Sequence, residues 1–179
     1  NNFAKINPDV VSVWSNILKK VSNSKLILKT SSKKQATERI KELFNNNGVL
    51  NSIKFIDREK EFKNHLNQYK QIDIALDTFP YNGVTTSFEA IWMGVPVLAM
   101  SGYNFNSRCG ESINKNLGMD EMIARDESDY VQKIVNLSNN HGDYMKLRKF
   151  VFASALKSPL FDNQNYSKSF FEVLEKIVK

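Results

Sequence analysis

The sequence is poor in cysteine, proline, glycine and histidine, with 1, 4, 7 and 2 of them among 179 residues. The single cysteine, Cys109, excludes an internal disulfide and favours a reducing compartment, so we expect a cytoplasmic protein. No apolar run reaches the roughly 18 residues of a membrane-spanning helix, so we expect no membrane partner. The chain begins with Asn1 rather than Met and shows no signal peptide, which predicts a fragment of a longer protein.

Long runs of one charge are also missing, although the formal net charge is +6. That surplus is compatible with an anionic ligand or with nucleic acid. The basic residues are scattered, however, in nothing longer than pairs such as Lys19-Lys20, so we predict no nucleic-acid partner. A hydrophobic share of 41% and a charged share of 25% are those of an ordinary globular protein, and the length fits one domain over residues 1–179.

What the chain does have is a regular alternation of short apolar runs and amphipathic segments. Strands are predicted at 25–30, 52–56, 72–77 and 96–100. Helices are predicted at 8–22, 34–46, 62–69, 85–93, 107–117, 127–139, 143–156 and 164–177. This alternation predicts an α/β fold, a Rossmann-like three-layer domain with a parallel sheet, whose final helices, about 143–177, pack on its surface.

In parallel sheets, ligands bind beyond the carboxyl ends of the strands. The loops that follow Thr30, Ile56, Asp77 and Met100 should therefore line one edge of the domain. Most of the polar residues with a recognisable chemical role lie in or near these loops. Fold and chemistry thus point to the same edge.

The segment from Asn82 to Thr86 joins a predicted strand to a predicted helix. The first turn of a helix carries unpaired backbone N–H groups and partial positive charge, which together form an anion site. Gly83 would let the backbone approach a phosphate closely because it has no Cβ, and Thr85 and Thr86 add hydroxyl donors. The same residue types also suit a simple helix cap after a turn, so both interpretations stand.

Glu89 lies four residues after Thr85, one turn further along the same helix face. A carboxylate in that place can accept hydrogen bonds from the two hydroxyls of a ribose. A solvated carboxylate near a favourable helix N-terminus would look the same in sequence. Glu89 is therefore a candidate ligand for a nucleotide ribose, with a surface role as the alternative.

Lys5 and His65 are further candidates near the same edge. An ammonium group at Lys5 could neutralise the charge that builds on a departing diphosphate, although a lysine near a terminus is commonly just solvated. A neutral imidazole at His65 could donate to a phosphate or a sugar hydroxyl, although ordinary surface and core histidines are common. For a divalent ion, Asp57 and Glu59 are the only suitably spaced pair, and two carboxylates are too few, so we predict no metal.

These residues resemble a known family. The block Ile72–Val97, which contains Asp-Thr-Phe-Pro-Tyr-Asn-Gly-Val-Thr-Thr, is similar to the signature of the family 41 glycosyltransferases, the O-linked N-acetylglucosamine transferase and SPINDLY-like proteins. Further segments also resemble the family's sequences. They are Asn1–Pro8, Ser107-Arg108 with Gly110, Leu117-Gly118 and Ser158–Leu160. The similarity spans nearly the whole chain, and its central block is highly specific.

The resemblance implies that the chain is the C-terminal lobe of a GT-B glycosyltransferase. It implies an inverting transfer, without metal or other cofactor, of a sugar from a UDP donor to a protein Ser or Thr hydroxyl, with N-acetylglucosamine as the expected sugar. The acceptor protein would bind through the missing N-terminal lobe and linked TPR repeats. The isolated fragment is expected to fold but to be inactive.

The family's functional residues can be matched to this sequence position by position. Lys5 matches the lysine that stabilises the leaving diphosphate, and His65 matches a histidine at the nucleotide site. Thr85 and Thr86 match the threonine pair on the phosphates. Glu89 matches the acidic residue on the uridine ribose.

Other positions extend or depart from that pattern. Asn1 and Asn2 fall where the family has amide side chains near the donor. Val84 stands where animal enzymes have histidine, while Phe62 and Gln68 replace basic residues near the uridine. A non-catalytic UDP-binding or interaction module of the same fold is therefore the alternative function.

Overall fold

The computed structural model describes residues 2–178, and Asn1 lies outside them, so nothing tests the prediction for its amide. The strands are β1 (Leu26–Lys29), β2 (Ile53–Ile56), β3 (Ala75–Leu76), β4 (Val97–Met100) and β5 (Ile123–Ala124). The helices are α1 (Pro8–Lys20), α2 (Lys34–Asn46), α3 (Phe62–Asn67), α4 (Thr85–Trp92), α5 (Phe105–Leu117), α6 (Glu127–Asn139), α7 (His141–Lys157) and α8 (Asn163–Val178). Short 3-10 helices fill several of the connections.

All strand pairs are parallel, as predicted. β1 pairs with β2 from Leu26 opposite Ile53 to Lys29 opposite Ile56. β4 lies between β3 and β5, which makes a second ladder of three strands. The carboxyl ends of the paired strands therefore lie side by side at one edge of each ladder.

Two strands differ from the prediction. The apolar run 72–77 forms a ladder only at Ala75–Leu76, because Ile72 still closes the preceding 3-10 turn with a bond from its N–H to the Tyr69 carbonyl, at 3.0 Å. β5 was not predicted, since two residues are too short to give a periodic apolar signal. Its position is decided by pairing with β4 rather than by its own composition.

Helix α1 is capped by local sequence and packs into the core. Asn7 caps it by accepting a hydrogen bond from the Val10 N–H at 2.8 Å, and Pro8 occupies the first turn, where no N–H is needed. Most of its apolar residues are buried, Trp14 among them, and the helix packs against α6. Burial of a side chain of this size stabilises a fold by about 2–3 kcal/mol.

The last two helices differ in how they meet the domain. α7 buries Leu147, Val151 and Ala155, whereas α8 buries none of its described residues and contacts the short 3-10 helix Pro159–Phe161. The apolar side chains of α8 are therefore exposed in this structure. Within residues 2–178, no helix combines the length and the apolar character needed to cross a membrane.

Candidate functional site

The N-terminal segment is anchored next to the edge where β3 ends. Asn2 caps a 3-10 turn, Phe3–Lys5, by accepting a hydrogen bond from the Ala4 N–H at 3.0 Å. Arg39 of α2 donates to the carbonyls of Phe3 and Ile6, at 2.9 and 3.1 Å. Arg39 thus fixes the backbone of this segment, and its last turn residue, Lys5, contacts the loop that follows β3.

That loop, residues 77–83, is organised by two buried polar side chains. Asp77 Oδ1 accepts hydrogen bonds from the N–H groups of Thr78, at 2.9 Å, and Gly83, at 2.6 Å. Asn82 Nδ2 donates to the Thr78 carbonyl at 2.9 Å, and its Oδ1 accepts from the Gly110 N–H at 3.1 Å. Asp77 and Asn82 are 2% and 1% exposed, so these bonds are shielded from water and fix the loop.

Gly83 therefore donates its N–H inside the loop, to Asp77. Its predicted contact with a phosphate stays a prediction, and in this structure Gly83 is buried with its amide on Asp77. The sequence analysis placed Asn82 in the phosphate-binding segment, but it did not predict that Asp77 and Asn82 would fix this loop. The usable signal was a carboxylate directly after an apolar strand.

Lys5 reaches this loop with its side chain. Its Nζ donates to the Asn82 carbonyl at 2.8 Å and lies 4.0 Å from the centre of the Tyr81 ring. Burial lowers the pKa of Lys5, and the nearby Asp77 carboxylate and Cys109 thiol oppose that shift. A cation thereby contacts the loop at Asn82, three residues before α4 begins at Thr85.

The start of α4 is open. Its N-cap residue is Val84, and among the described residues no side chain caps it. Thr85 and Thr86 occupy the first two helical positions rather than the capping position, with Thr85 exposed and Thr86 half-buried. Both the Ser87 and the Phe88 N–H groups bond to the Val84 carbonyl, each at 3.0 Å. The two threonines therefore do not cap this helix, and the capping interpretation is wrong.

His65 of α3 and Glu89 of α4 come together. His65 Nε2 lies 2.8 Å from Glu89 Oε2, and the Tyr69 hydroxyl donates to the same oxygen at 3.0 Å. Lys29, at the end of β1, contacts His65 Nδ1. The Tyr69 hydroxyl is also 3.3 Å from the Thr86 carbonyl, so this cluster is joined to the first turn of α4.

Burial and charge shape the cluster. Burial raises the pKa of Tyr69, and the Glu89 carboxylate raises it further, so the phenol stays a proton donor at neutral pH. Burial lowers the pKa of Lys29, and Glu89 opposes that shift. A cation at Nδ1 favours the tautomer of His65 that carries its proton on Nε2, pointing to Glu89.

Sequence reasoning missed Lys29 and Tyr69. Lys29 ends a strand at the predicted ligand edge. Because ligands bind beyond the carboxyl ends of parallel strands, Lys29 could have been predicted as a site residue. Tyr69 lies in a 3-10 turn after α3, and only the packing of that turn on α4 brings its hydroxyl to Glu89.

The suggested carboxylate pair is engaged elsewhere. Asp57 Oδ1 accepts from the Thr30 hydroxyl at 3.3 Å, and Glu59 Oε1 accepts from Gln68 at 3.4 Å. Over residues 2–178, no three His, Cys, Asp or Glu side chains gather in a way that could hold a metal ion.

Comparisons with known proteins match this chain to one family. The chain matches the family model described as glycosyl transferase family 41 over residues 1–170. It is 32% identical over 176 residues to a probable UDP-N-acetylglucosamine–peptide N-acetylglucosaminyltransferase SPINDLY of Solanum lycopersicum, covering 94% of this chain and 18% of that protein. The protein of the same description from Eustoma exaltatum is 34% identical, with 93% and 18% covered.

A solved structure agrees with the sequence relatives. A mutant O-GlcNAc transferase of Thermobaculum terrenum superimposes with a TM-score of 0.90 at 26% identity, over 98% of this chain and 34% of that one. This likeness confirms the predicted Rossmann-like α/β lobe of a GT-B fold. The chain spans about a fifth of the length of the curated relatives described above.

Proposed function

This chain belongs to glycosyl transferase family 41, and from that we propose that it is the nucleotide-sugar-binding lobe of an inverting, metal-independent glycosyltransferase. The donor would be a UDP-sugar, with N-acetylglucosamine as the sugar, and the acceptor a protein Ser or Thr hydroxyl. Two relatives carry UDP-N-acetylglucosamine and peptide in their names, which supports this choice. The isolated lobe would bind donor without turning it over.

The diphosphate would lie at the start of α4. The helix begins without a side-chain cap, Thr85 is exposed there, and the helix dipole adds partial positive charge. The hydroxyls of Thr85 and Thr86 would add donors to the backbone N–H groups. Because the loop before the helix is fixed by buried Asp77, the proposed anion site would already be organised before ligand binds.

The nucleoside would lie against the cluster of His65, Tyr69 and Glu89. Glu89 is held in place by two donors on one of its oxygens, at 2.8 and 3.0 Å. A carboxylate fixed in this way can accept hydrogen bonds from ribose hydroxyls with little loss of side-chain entropy. His65 keeps it oriented and lies within reach of the same ligand edge.

Lys5 would act on the leaving group. When the bond between sugar and diphosphate breaks, negative charge builds on the diphosphate, and a cation positioned for that charge lowers the barrier. Lys5 bonds to the Asn82 carbonyl, in the loop that leads into α4. Together with the helix dipole it would supply the neutralisation that other enzymes obtain from a metal ion. Asn2, which caps the same turn, would lie nearby.

The acceptor protein would bind across the cleft, in an N-terminal lobe and TPR repeats of the complete protein. The expected setting is the reducing cytoplasm, in keeping with a chain that has one cysteine. Neither nucleic acid nor membrane is proposed as a partner. The net charge of +6 would attract the anionic donor.

One observation carries the proposal: His65 pairs with Glu89 of α4 at 2.8 Å, and the Lys5 cation bonds to Asn82 in the loop that leads into the same helix. Its test is calorimetry with the complete parent protein, comparing UDP, GDP and their sugar conjugates, followed by mass spectrometry of an acceptor protein. We expect UDP compounds to bind more tightly than GDP compounds, and sugar transfer that persists in EDTA. Failure to bind any of them would overturn the proposal, and binding without transfer would favour the non-catalytic module.

A further inference from the structure

Lys5 poses a structural problem for the proposed reaction. Its ammonium group stands at the end of a flexible four-carbon stem, on the last residue of a short 3-10 turn. A leaving-group cation acts only when it is close to its target, because a misplacement of about 1 Å can cost a hundredfold in rate. Contacts with neighbouring groups must therefore restrict the position of this ammonium group.

Among residues 2–178, two groups contact it. The Asn82 carbonyl accepts a hydrogen bond from Nζ at 2.8 Å, and the Tyr81 ring lies with its centre 4.0 Å from the same atom. A phosphate oxygen would compete with the carbonyl for the ammonium protons. The aromatic ring attracts the cation without using those protons, so its hold survives when ligand binds.

The Tyr81 ring is not part of the core. Tyr81 is 48% exposed, so its side chain is not one of the buried residues that form the core. Its backbone is nevertheless fixed, because its carbonyl accepts a hydrogen bond from the Thr78 hydroxyl at 2.7 Å and the next residue is buried Asn82. The ring thus extends from a loop that is fixed by hydrogen bonds, and it contacts the Lys5 cation.

We propose that Tyr81 is a positioning residue for transfer: its ring holds the Lys5 ammonium beside the start of α4. This inference rests on the proposed function of Lys5. The ring restricts the ammonium group to the space between the 77–83 loop and the helix start, so that Lys5 can turn from the Asn82 carbonyl to the diphosphate without leaving the site.

The ring also favours the charged form of Lys5. Burial acts in the other direction and lowers the pKa of Lys5. The nearby titratable groups Asp77 and Cys109 raise that pKa. Removing the ring takes away one of the interactions that favour the cation. The pKa of Lys5 should then fall further, and the alkaline limb of kcat should move to lower pH.

The test uses the complete parent protein and three variants: Tyr81→Phe, Tyr81→Leu and, as a control for loss of an exposed tyrosine, Tyr166→Leu. Tyr81→Leu should lower kcat about three- to tenfold, the size expected for one cation–π contact. Its KM and its affinity for UDP should stay within about twofold, which also shows that the variant is folded. Tyr81→Phe keeps the ring and should retain the wild-type kcat and pH profile, as should Tyr166→Leu.

A double-mutant cycle separates positioning from a general effect. In a Lys5→Ala background, Tyr81→Leu should cause no further loss of kcat, because the group it positions is gone. A full additional loss in that background would overturn the inference, as would wild-type kcat in Tyr81→Leu or equal damage by Tyr81→Phe. If the wild-type parent neither binds UDP nor transfers sugar, the proposed function fails and the role of Tyr81 fails with it. Normal transfer by wild type and Tyr81→Leu alike would remove only the role of Tyr81.

Discussion

His65 Nε2 lies 2.8 Å from Glu89 Oε2, although the two residues are 24 positions apart and belong to different helices. Each had been singled out by sequence for a separate reason, one as a histidine near the ligand edge and the other as a carboxylate on the α4 face. In the structure they form one unit with Tyr69. Their pairing means that changes in either residue should affect the same step.

Glu89→Ala is expected to weaken UDP binding about ten- to a hundredfold in the parent protein. Hydrogen bonds to a charged group contribute about 1.5–3 kcal/mol, and loss of the carboxylate would also release His65 and Tyr69. Isothermal calorimetry measures the effect directly. Glu42→Ala, at an exposed position of α2, is the matched control and should leave the affinity unchanged. Wild-type affinity in Glu89→Ala would remove Glu89 from the ribose site.

Lys5→Ala is expected to slow transfer much more than it weakens UDP binding. Removing one group that stabilises developing charge typically costs about 3 kcal/mol, or roughly a hundredfold in kcat. Affinity for UDP, measured by calorimetry, should change only a few-fold. An equal loss of rate and affinity would mean that Lys5 merely anchors the ligand. Lys20→Ala, at an exposed position of α1, should match the wild type in both measurements.

Gly110→Ala should destabilise the domain by about 1–3 kcal/mol or more, through overpacking. A Cβ at Gly110 would lie 2.4 Å from the Ala99 Cβ and 3.0 Å from Asp77 Oδ2, so α5 would be pushed from β4. Gly142→Ala is the contrasting variant, since its Cβ would meet nothing closer than 3.5 Å in a helix that alanine favours. Thermal unfolding of the 179-residue domain should show a lower Tm for the first variant only. Equal Tm values would contradict the close approach of α5 to β4.

Glu111→Gln should cost about 1 kcal/mol of unfolding free energy at pH 7, a figure that allows for solvent screening. Hydrogen bonds from Lys115, Ser101 and Arg108 lower the pKa of Glu111 from 4.5 to about 2. A depressed carboxyl pKa stabilises the fold above the unfolded value, and this contribution is lost as pH falls from about 4.5 towards 2.

Urea unfolding at pH 7 and at pH 3 checks this expectation. The difference between wild type and Glu111→Gln should be present at pH 7 and shrink by more than half at pH 3. Glu38→Gln is a useful comparison, because its ion pair with Lys41 is exposed and should contribute little at either pH. A difference that does not depend on pH would show that the charge of Glu111 is not what stabilises α5.

Some of the fold could be predicted because local patterns sufficed. The helix predicted at 34–46 has those bounds in the structure, since its periodicity and the following Gly48 are local signals. β5 and the shortened β3 could not be predicted in the same way. Their extent depends on which backbone groups β4 offers, and that is a property of the assembled sheet.

The sequence by itself determined the α/β alternation, the family and the residue types around α4, because periodicity and a specific motif are written in consecutive residues. Tertiary structure alone decided that Tyr69 and Lys29 join His65 and Glu89, and that the Gly83 amide is taken up by Asp77. The physical reason is that these contacts join segments distant along the chain, or depend on how a loop folds back. Such contacts form only when packing of the sheet and helices brings the side chains within hydrogen-bonding distance.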